Sequence, residues 1–218
     1  MKTYAVPDLH GRYDLLVAAL RRIEDSQHGG TVVFLGDYVD RGPQSRQIIE
    51  RLMVGPTTPG WRWVCLKGNH EDMLVGCISS PGDLPWWLNN GGSATLASFD
   101  GKVPPSVLEW CSKLPLWHDD GKRIYVHAAI EPSRAMEEQG EAVLLWMRYP
   151  ERADIRHPTR HIVHGHTPHQ DGPECYPGRT NLDCYAVGTG RLVVGIFDDE
   201  MEGGPVGFLE IMDSAFAA

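Results

Sequence analysis

The first hundred residues alternate short apolar runs with amphipathic stretches, and this alternation restricts the fold more than any other feature. Residues 3–8 read as a strand. "RYDLLVAALRRIEDSQ" follows, with Leu15, Leu16, Ala19, Leu20 and Ile23 at helical spacing, and "HGG" stops it. "TVVFLGD" is a β-branched apolar run of the kind buried on both faces of a sheet. "SRQIIERLM" predicts a helix broken by "GPTTPG", and "WRWVCLKG" predicts the third strand. Strand, helix, strand, helix, strand implies an α/β sheet with parallel neighbours and helical crossovers.

Beyond residue 70 the pattern changes. "HEDMLVGCIS", "LPWWLNNGGSATLASF" and "PPSVLEWCSKL" predict helices. "KRIYVHA" predicts a strand, "EEQGEAVLLWMR" a short helix, residues 148–160 a loop and "RHIVHGH" another strand. The C-terminal third breaks into short alternating runs between Gly- and Asp-rich turns, the pattern of antiparallel strands. No repeat, low-complexity tract or linker divides the chain. The expected architecture is a single α/β domain over residues 1–218, with two mixed β-sheets packed as a central sandwich and helices on the outer faces. Of the adjacent Trp86 and Trp87, one is expected in the core and the other at the surface.

Composition acts by exclusion. The chain has 218 residues, 42% hydrophobic and 22% charged, as a globular domain does. A net charge of −9 gives no basic footprint for nucleic acid and disfavours an anionic membrane surface. No run approaches the roughly 20 apolar residues of a membrane span, and the N-terminus lacks the apolar region of a secretory signal. Five cysteines, an odd number without a CxxC pair, suit reduced thiols. The expectation is a cytoplasmic monomer.

The chemistry gathers where strands end. "PDLHG" supplies Asp8 and His10; "GDYVDRG" supplies Asp37, Asp40 and Arg41; "GNHE" supplies Asn69, His70 and Glu71. Two later strands end in His127 and in "HGHTP", with His164 and His166. Ligands bind beyond the carboxyl ends of strands in open α/β sheets. Each fragment alone has a plain structural use as a turn, a cap or a core histidine. Five strand ends of the same chemical kind do not. Because side chains alternate along a strand, only one of His164 and His166 is expected to face a shared site.

Asp8, His10, Asp37, Asn69, His127 and His166 offer oxygen and nitrogen donors without thiolate, a set suited to Mn, Fe or Zn. Six ligands exceed the needs of one catalytic metal but suit two metals sharing a carboxylate. Asp37, between the two groups in the chain, is the natural bridge. Two metals about 3.5–4 Å apart are the standard apparatus for phosphoester hydrolysis.

In that order, PDLHG, GDYVDRG, GNHE, a later His and GHT resemble the calcineurin-like metallophosphoesterases. More narrowly they are similar to the PPP-type serine/threonine protein phosphatases, in the compact bacterial and bacteriophage branch of the lambda phosphatase type. "WLNNGG" at 87–92, "LLWMR" at 144–148 and "NLD…GTGRL" within 181–192 resemble connecting segments of that branch. The resemblance implies that Asp8, His10 and Asp37 hold one metal, and that Asp37, Asn69, His127 and His166 hold the other. It implies two divalent ions, Mn2+ first and Fe or Zn as fits, whose activated hydroxide attacks phosphorus in line. It implies His70 as general acid, oriented and kept protonated by Asp40, with Arg41 and Arg148 gripping the phosphate. Glu71 would serve as a supporting hydrogen-bond acceptor. The substrate would be a phosphorylated protein or a small phosphoester, with symmetrical diadenosine tetraphosphate hydrolysis as the alternative.

Four positions depart from the pattern. Pro7 stands where Gly or Ser usually precedes the Asp. Pro168 stands where other metallophosphoesterase branches place a second metal-binding histidine. Cys184 and Tyr185 stand where Thr and Gly are frequent.

Overall fold

Two five-stranded sheets pack face to face. The computed structural model describes residues 1–213. The first sheet holds β1 (Lys2–Val6), β2 (Gly30–Phe34) and β3 (Trp61–Cys65), separated in the chain by α1 (Tyr13–Ser26) and α2 (Ser45–Val54). A helical region follows: α3 (Asn69–Ser79), α4 (Leu84–Trp87), a π turn over Leu88–Gly92, α5 (Ser93–Ser98) and α6 (Pro105–Ser112). The second sheet holds β4 (Trp117–Asp119), β5 (Arg123–Val126), β6 (His161–His164), β7 (Glu174–Cys175) and β8 (Arg179–Asn181), with α7 (Glu141–Trp146) between β5 and β6. After the short α8 (Ala186–Thr189), β9 (Arg191–Asp198) and β10 (Gly207–Met212) return to the first sheet.

The strand orders are β10-β9-β1-β2-β3 and β4-β5-β6-β8-β7. β1, β2 and β3 run parallel, as do β5, β6 and β8, so the carboxyl ends within each of these groups lie along one edge. Alternation assigns each strand to two cores. Ala5, Val33, Leu35 and Phe197 meet Tyr125, Val163 and Leu182 between the sheets. Tyr4, Val6, Val32 and Phe34 face the helices on the other side. All of these side chains are buried, and each Val, Leu and Phe among them contributes about 1.5–3 kcal/mol by transfer from water. The face that α1 presents is Leu15, Leu16, Ala19, Leu20 and Ile23, the five residues its spacing selects.

The C-terminal third differs from the antiparallel expectation in two places. β8 runs parallel to β6 and antiparallel only to the two-residue β7. Ala186–Thr189 is a helical turn, entered through Tyr185 in left-handed backbone at φ 59°. β4 is a strand the sequence does not announce, because three residues are too short to display an alternation. Trp87 is 2% exposed and Trp86 50%, the split expected of the pair.

Candidate metal centre

The ladders stop before the polar residues begin. β1 ends at Val6, β2 at Phe34 and β3 at Cys65, which leaves Asp8, His10, Asp37 and Asp40 on the turns beyond, with Asn69 and His70 opening α3. Those turns are sharp. His10, Asp37, Asp40, Arg41 and His166 all hold left-handed backbone, with φ of 41°, 53°, 71°, 68° and 63°. Non-glycine residues in such regions cost on the order of 1–3 kcal/mol each and persist where neighbours over-determine them. Close approach also demands glycine: a Cβ on Gly68 would collide with Oδ1 of Asp37, and one on Gly165 with Oδ1 of Asp8.

Asp37 is the hub. Its Oδ2 lies 3.4 Å from Nε2 of His10 and its Oδ1 lies 3.4 Å from Nε2 of His127. The two oxygens of one carboxylate thus face histidines from different sheets. The ligand-capable atoms of His10, Asp37 and His70 lie within 4.8 Å of one another, and so do those of Asp37, His127 and His166. Asp8 lies beside them and lines the same cavity, but among the described residues it joins neither trio. Its Oδ1 accepts the His166 N–H at 3.1 Å.

The donors fit cations. Nδ1 of His127 donates to the Leu35 carbonyl at 2.9 Å, and burial holds this imidazole neutral by lowering its pKa to about 4. Nε2 therefore presents a lone pair, facing Oδ1 of Asn69 at 2.9 Å and Oδ1 of Asp37 at 3.4 Å. Three acceptor atoms converge there, and a proton on Asp37 or a cation must sit among them. His10 repeats the arrangement: Nδ1 donates to the Val39 carbonyl at 2.9 Å, and burial lowers its pKa well below the usual value. Burial raises Asp8 to about 6, and burial together with the Asp8 charge raises Asp37 well above the carboxylate range. Buried carboxyl groups that would give up their proton to a cation, beside neutral imidazole nitrogens, are the donor chemistry of a divalent-cation site.

A second cluster adjoins the hub. Nδ1 of His70 lies 2.7 Å from Oδ2 of Asp40. Asp40 also accepts the indole N–H of Trp87 at 2.9 and 3.1 Å and the Thr95 hydroxyl at 2.6 Å. The guanidinium of Arg41 donates through one nitrogen to Nε2 of His10 at 2.8 Å and through the other to Nε2 of His70 at 3.0 Å. The resemblance implies a protonated His70. In this geometry burial and the Arg41 charge lower it to about 2, while burial raises Asp40 to about 7.

Glu71 fastens the turns. Its two carboxylate oxygens accept backbone N–H groups from Asp37, Tyr38, Val39 and Gly68 at 2.8–3.2 Å, binding the GDYVDRG loop to the start of α3. Of the two histidines of HGH, His166 enters the site. His164 points instead at Arg179 and stacks edge to face on Tyr149. Arg148 and Pro168 line a cavity of about 450 Å³ with Asp8, Asp37, Arg41 and His70.

Sequence reasoning missed three contributors. Trp87 and Thr95 hold Asp40, and "WLNNGG" was the available hint. Asp183, inside "NLDC", is buried next to Gly165, and burial and the Asp8 charge raise its pKa well above the usual range.

Comparison with known proteins fits this geometry. The family described as calcineurin-like phosphoesterase matches residues 1–195. Over 151 residues the chain is 35% identical to serine/threonine-protein phosphatase 2 of Escherichia coli (strain K12), covering 66% of each chain. It is 28% identical to the symmetrical bis(5'-nucleosyl)-tetraphosphatase of Cronobacter sakazakii over 69% of this chain and 53% of that protein. These two matches take in less than two thirds of each relative's own length. A crystal structure assigned as a diadenosine tetraphosphatase superimposes with a TM-score of 0.73 at 21% identity, over 96% of this chain and 92% of that one. The cold-active protein-tyrosine phosphatase of a Shewanella species gives 0.66 at 19% identity, over 93% and 80%. At these identities the structural likeness is one of fold.

Proposed function

The chain belongs to the calcineurin-like phosphoesterase family, and from that premise we propose a metal-dependent phosphomonoesterase acting on serine- or threonine-phosphorylated protein. The Asp37 carboxylate carries the reading, because its two oxygens face His10 and His127 from opposite sides. Asp8, His10 and Asp37 would hold one divalent cation, and Asp37, Asn69, His127 and His166 would hold the other. Mn2+ is the first choice, and Fe or Zn fits the same donors. When bound, the pair supplies water of lowered pKa and positive charge for the phosphoryl oxygens.

The chain's own residues do the rest. Arg41 and Arg148 grip the phosphate, for which the guanidinium fork is suited. As the fork of Arg41 turns from the two imidazoles to phosphate oxygens, Nε2 of His70 is released to carry a proton. His70 delivers that proton to the departing alkoxide. Asp40, held by Trp87 and Thr95, keeps the His70 ring aimed and favours its charged form once Arg41 has left.

The Escherichia coli relative supports a protein substrate. The Cronobacter relative supports a second reading, symmetrical cleavage of a dinucleoside tetraphosphate. Five free cysteines support a reducing compartment, which we assign as the cytoplasm, and a monomer is the working state. Among the described residues no helix is long and apolar enough to cross a membrane. A substrate panel with Mn2+ tests the reading. Phosphate release from phosphoserine and phosphothreonine peptides is expected. Fast ADP formation from diadenosine tetraphosphate with negligible peptide turnover would move the assignment to the second reading. No turnover of any phosphoester, p-nitrophenyl phosphate included, would remove both.

A further inference from the structure

Two tryptophans, Trp146 in the cavity lining and Trp86 stacked on it, have no part in the chemistry above. Trp86 in α4 is 50% exposed and Trp146 at the end of α7 is 37% exposed. Their rings stack on each other with centroids 5.5 Å apart and planes at 27°. Neither is spent on the core, since Trp87 fills that role next door. Large aromatic surface left to water beside a polar cavity is an informative observation, because scattered aliphatic exposure is common and this is neither scattered nor aliphatic.

Trp146 is built into the site, and Trp86 extends it by stacking on Trp146. Trp146 lies edge to face with His166 at 6.4 Å, and its carbonyl bonds the His166 ring. It lines the cavity together with Arg41, Arg148 and Asn90. Asn90 in turn donates from its side chain to the Trp86 carbonyl at 2.8 Å, while the adjacent Gly91 carbonyl receives the Arg41 N–H at 3.1 Å. One turn of chain thus sets the position of Trp86 relative to the phosphate-gripping arginine. A phosphoryl group fills only a small part of about 450 Å³. The remainder must take what the phosphate is attached to, and an aromatic face lines that route.

The geometry points to an aromatic platform: Trp86 and Trp146 stack against a flat ring carried by the substrate within one residue or one nucleotide of the scissile phosphorus. This rests on the phosphoesterase reading and names what that site selects. The ring is a nucleobase or an aromatic side chain flanking the phosphorylated residue, and both present the same π face to the platform.

Two matched pairs separate the sources. One compares turnover of phosphoserine peptides with Phe or Ala after the phosphoserine. The other compares calorimetric binding of AMP and ribose 5-phosphate to the Mn2+-loaded protein, which needs no turnover. The wild type is expected to favour the ring-bearing member of one pair by about tenfold, the size of one aromatic stacking contact. Trp86→Ala should erase that ratio through KM or Kd rather than kcat, and Trp86→Phe should restore part of it. The pair that shows the preference identifies the source. A wild type with no preference in either pair overturns the platform, as does a preference that Trp86→Ala retains. Failure to hydrolyse p-nitrophenyl phosphate would instead remove the phosphoesterase reading, and the binding pair would still judge the platform. Circular dichroism and a melting curve confirm that each variant is folded, as expected for a half-exposed position.

Discussion

Oδ2 of Asp40 lies 2.7 Å from Nδ1 of His70, and both residues are buried, at 0% and 2% exposure. The contact fixes which imidazole nitrogen faces the cavity. Nδ1 is held by Asp40, so only Nε2 is available for proton transfer. If that is its use, His70→Asn lowers kcat on alkyl phosphoesters by about 10²–10⁴-fold. The loss on p-nitrophenyl phosphate, whose leaving group needs no proton, should be much smaller. Steady-state rates on a series of leaving groups check this, and an equal loss across the series would count against the role.

Asp37 faces both histidine groups, so one substitution should weaken both cations. Asp37→Asn is expected to bring metal content from two ions per chain to fewer than one by elemental analysis after dialysis. Mn2+ at about 100 times its Kd should stabilise the wild type by about 2.7 kcal/mol for each bound ion and the variant by much less. Melting curves with and without a chelator read the difference. Retention of two ions by the variant would contradict the shared carboxylate.

Glu71 accepts four backbone N–H groups. A glutamine offers one oxygen and sets its NH2 against the remaining donors. Leaving buried donors unsatisfied costs about 1–3 kcal/mol each, so Glu71→Gln should destabilise the fold by about 2–4 kcal/mol in urea titration. A loss under 0.5 kcal/mol would mean that the loop is held by other contacts.

His164 gives a pH signature away from the centre. Burial, reinforced by the Arg179 charge, lowers its pKa from 6.5 to about 3. The unfolded chain takes up a proton near 6.5 while the folded ring does not. Its stabilising contribution is therefore present above pH 6.5 and is lost as pH falls toward 3. Between pH 6 and 4 the stability difference between wild type and His164→Asn should shrink by about 1.4 kcal/mol per pH unit. Urea titrations of both proteins, metal-free, measure it. A difference that stays constant with pH would show that the folded ring also protonates.

Much of the centre could be read from the chain because its signals are local. Asp8 and His10 sit two positions apart at a strand end, and Asn69 and His70 open a helix. Counting ligands singles out Asp37, the residue common to both trios of ligand-capable groups. The supporting contacts were hidden because they join distant positions. Trp87 lies 47 residues from Asp40, and Thr95 lies 55 away. No periodicity encodes such a meeting. His166 lines the cavity, yet the alternation argument that picks one histidine of the pair is incomplete. Alternation says that one of the HGH pair faces inward, but β6 ends at His164 and a left-handed turn at φ 63° delivers His166. β8 escaped because the order of strands within a sheet follows from packing, not from the pattern of a three-residue run.

The left-handed corners at His10, Asp37, Asp40, Arg41 and His166 set the fold and its chemistry at odds. Glycine would adopt each of these conformations without steric penalty. The most heat-resistant sequence for this backbone is therefore not the one that works best as a hydrolase. At Asp37 and Asp40 glycine would also remove the acceptor of the His70 N–H and of the Trp87 and Thr95 donors, so a laboratory selection for thermal endurance alone would reach first the corners whose side chains hold least of the scaffold, erasing the site's purpose as it does so. Selection that couples endurance to turnover would leave them untouched and find its gains elsewhere, on surface helices and loops remote from the strand ends.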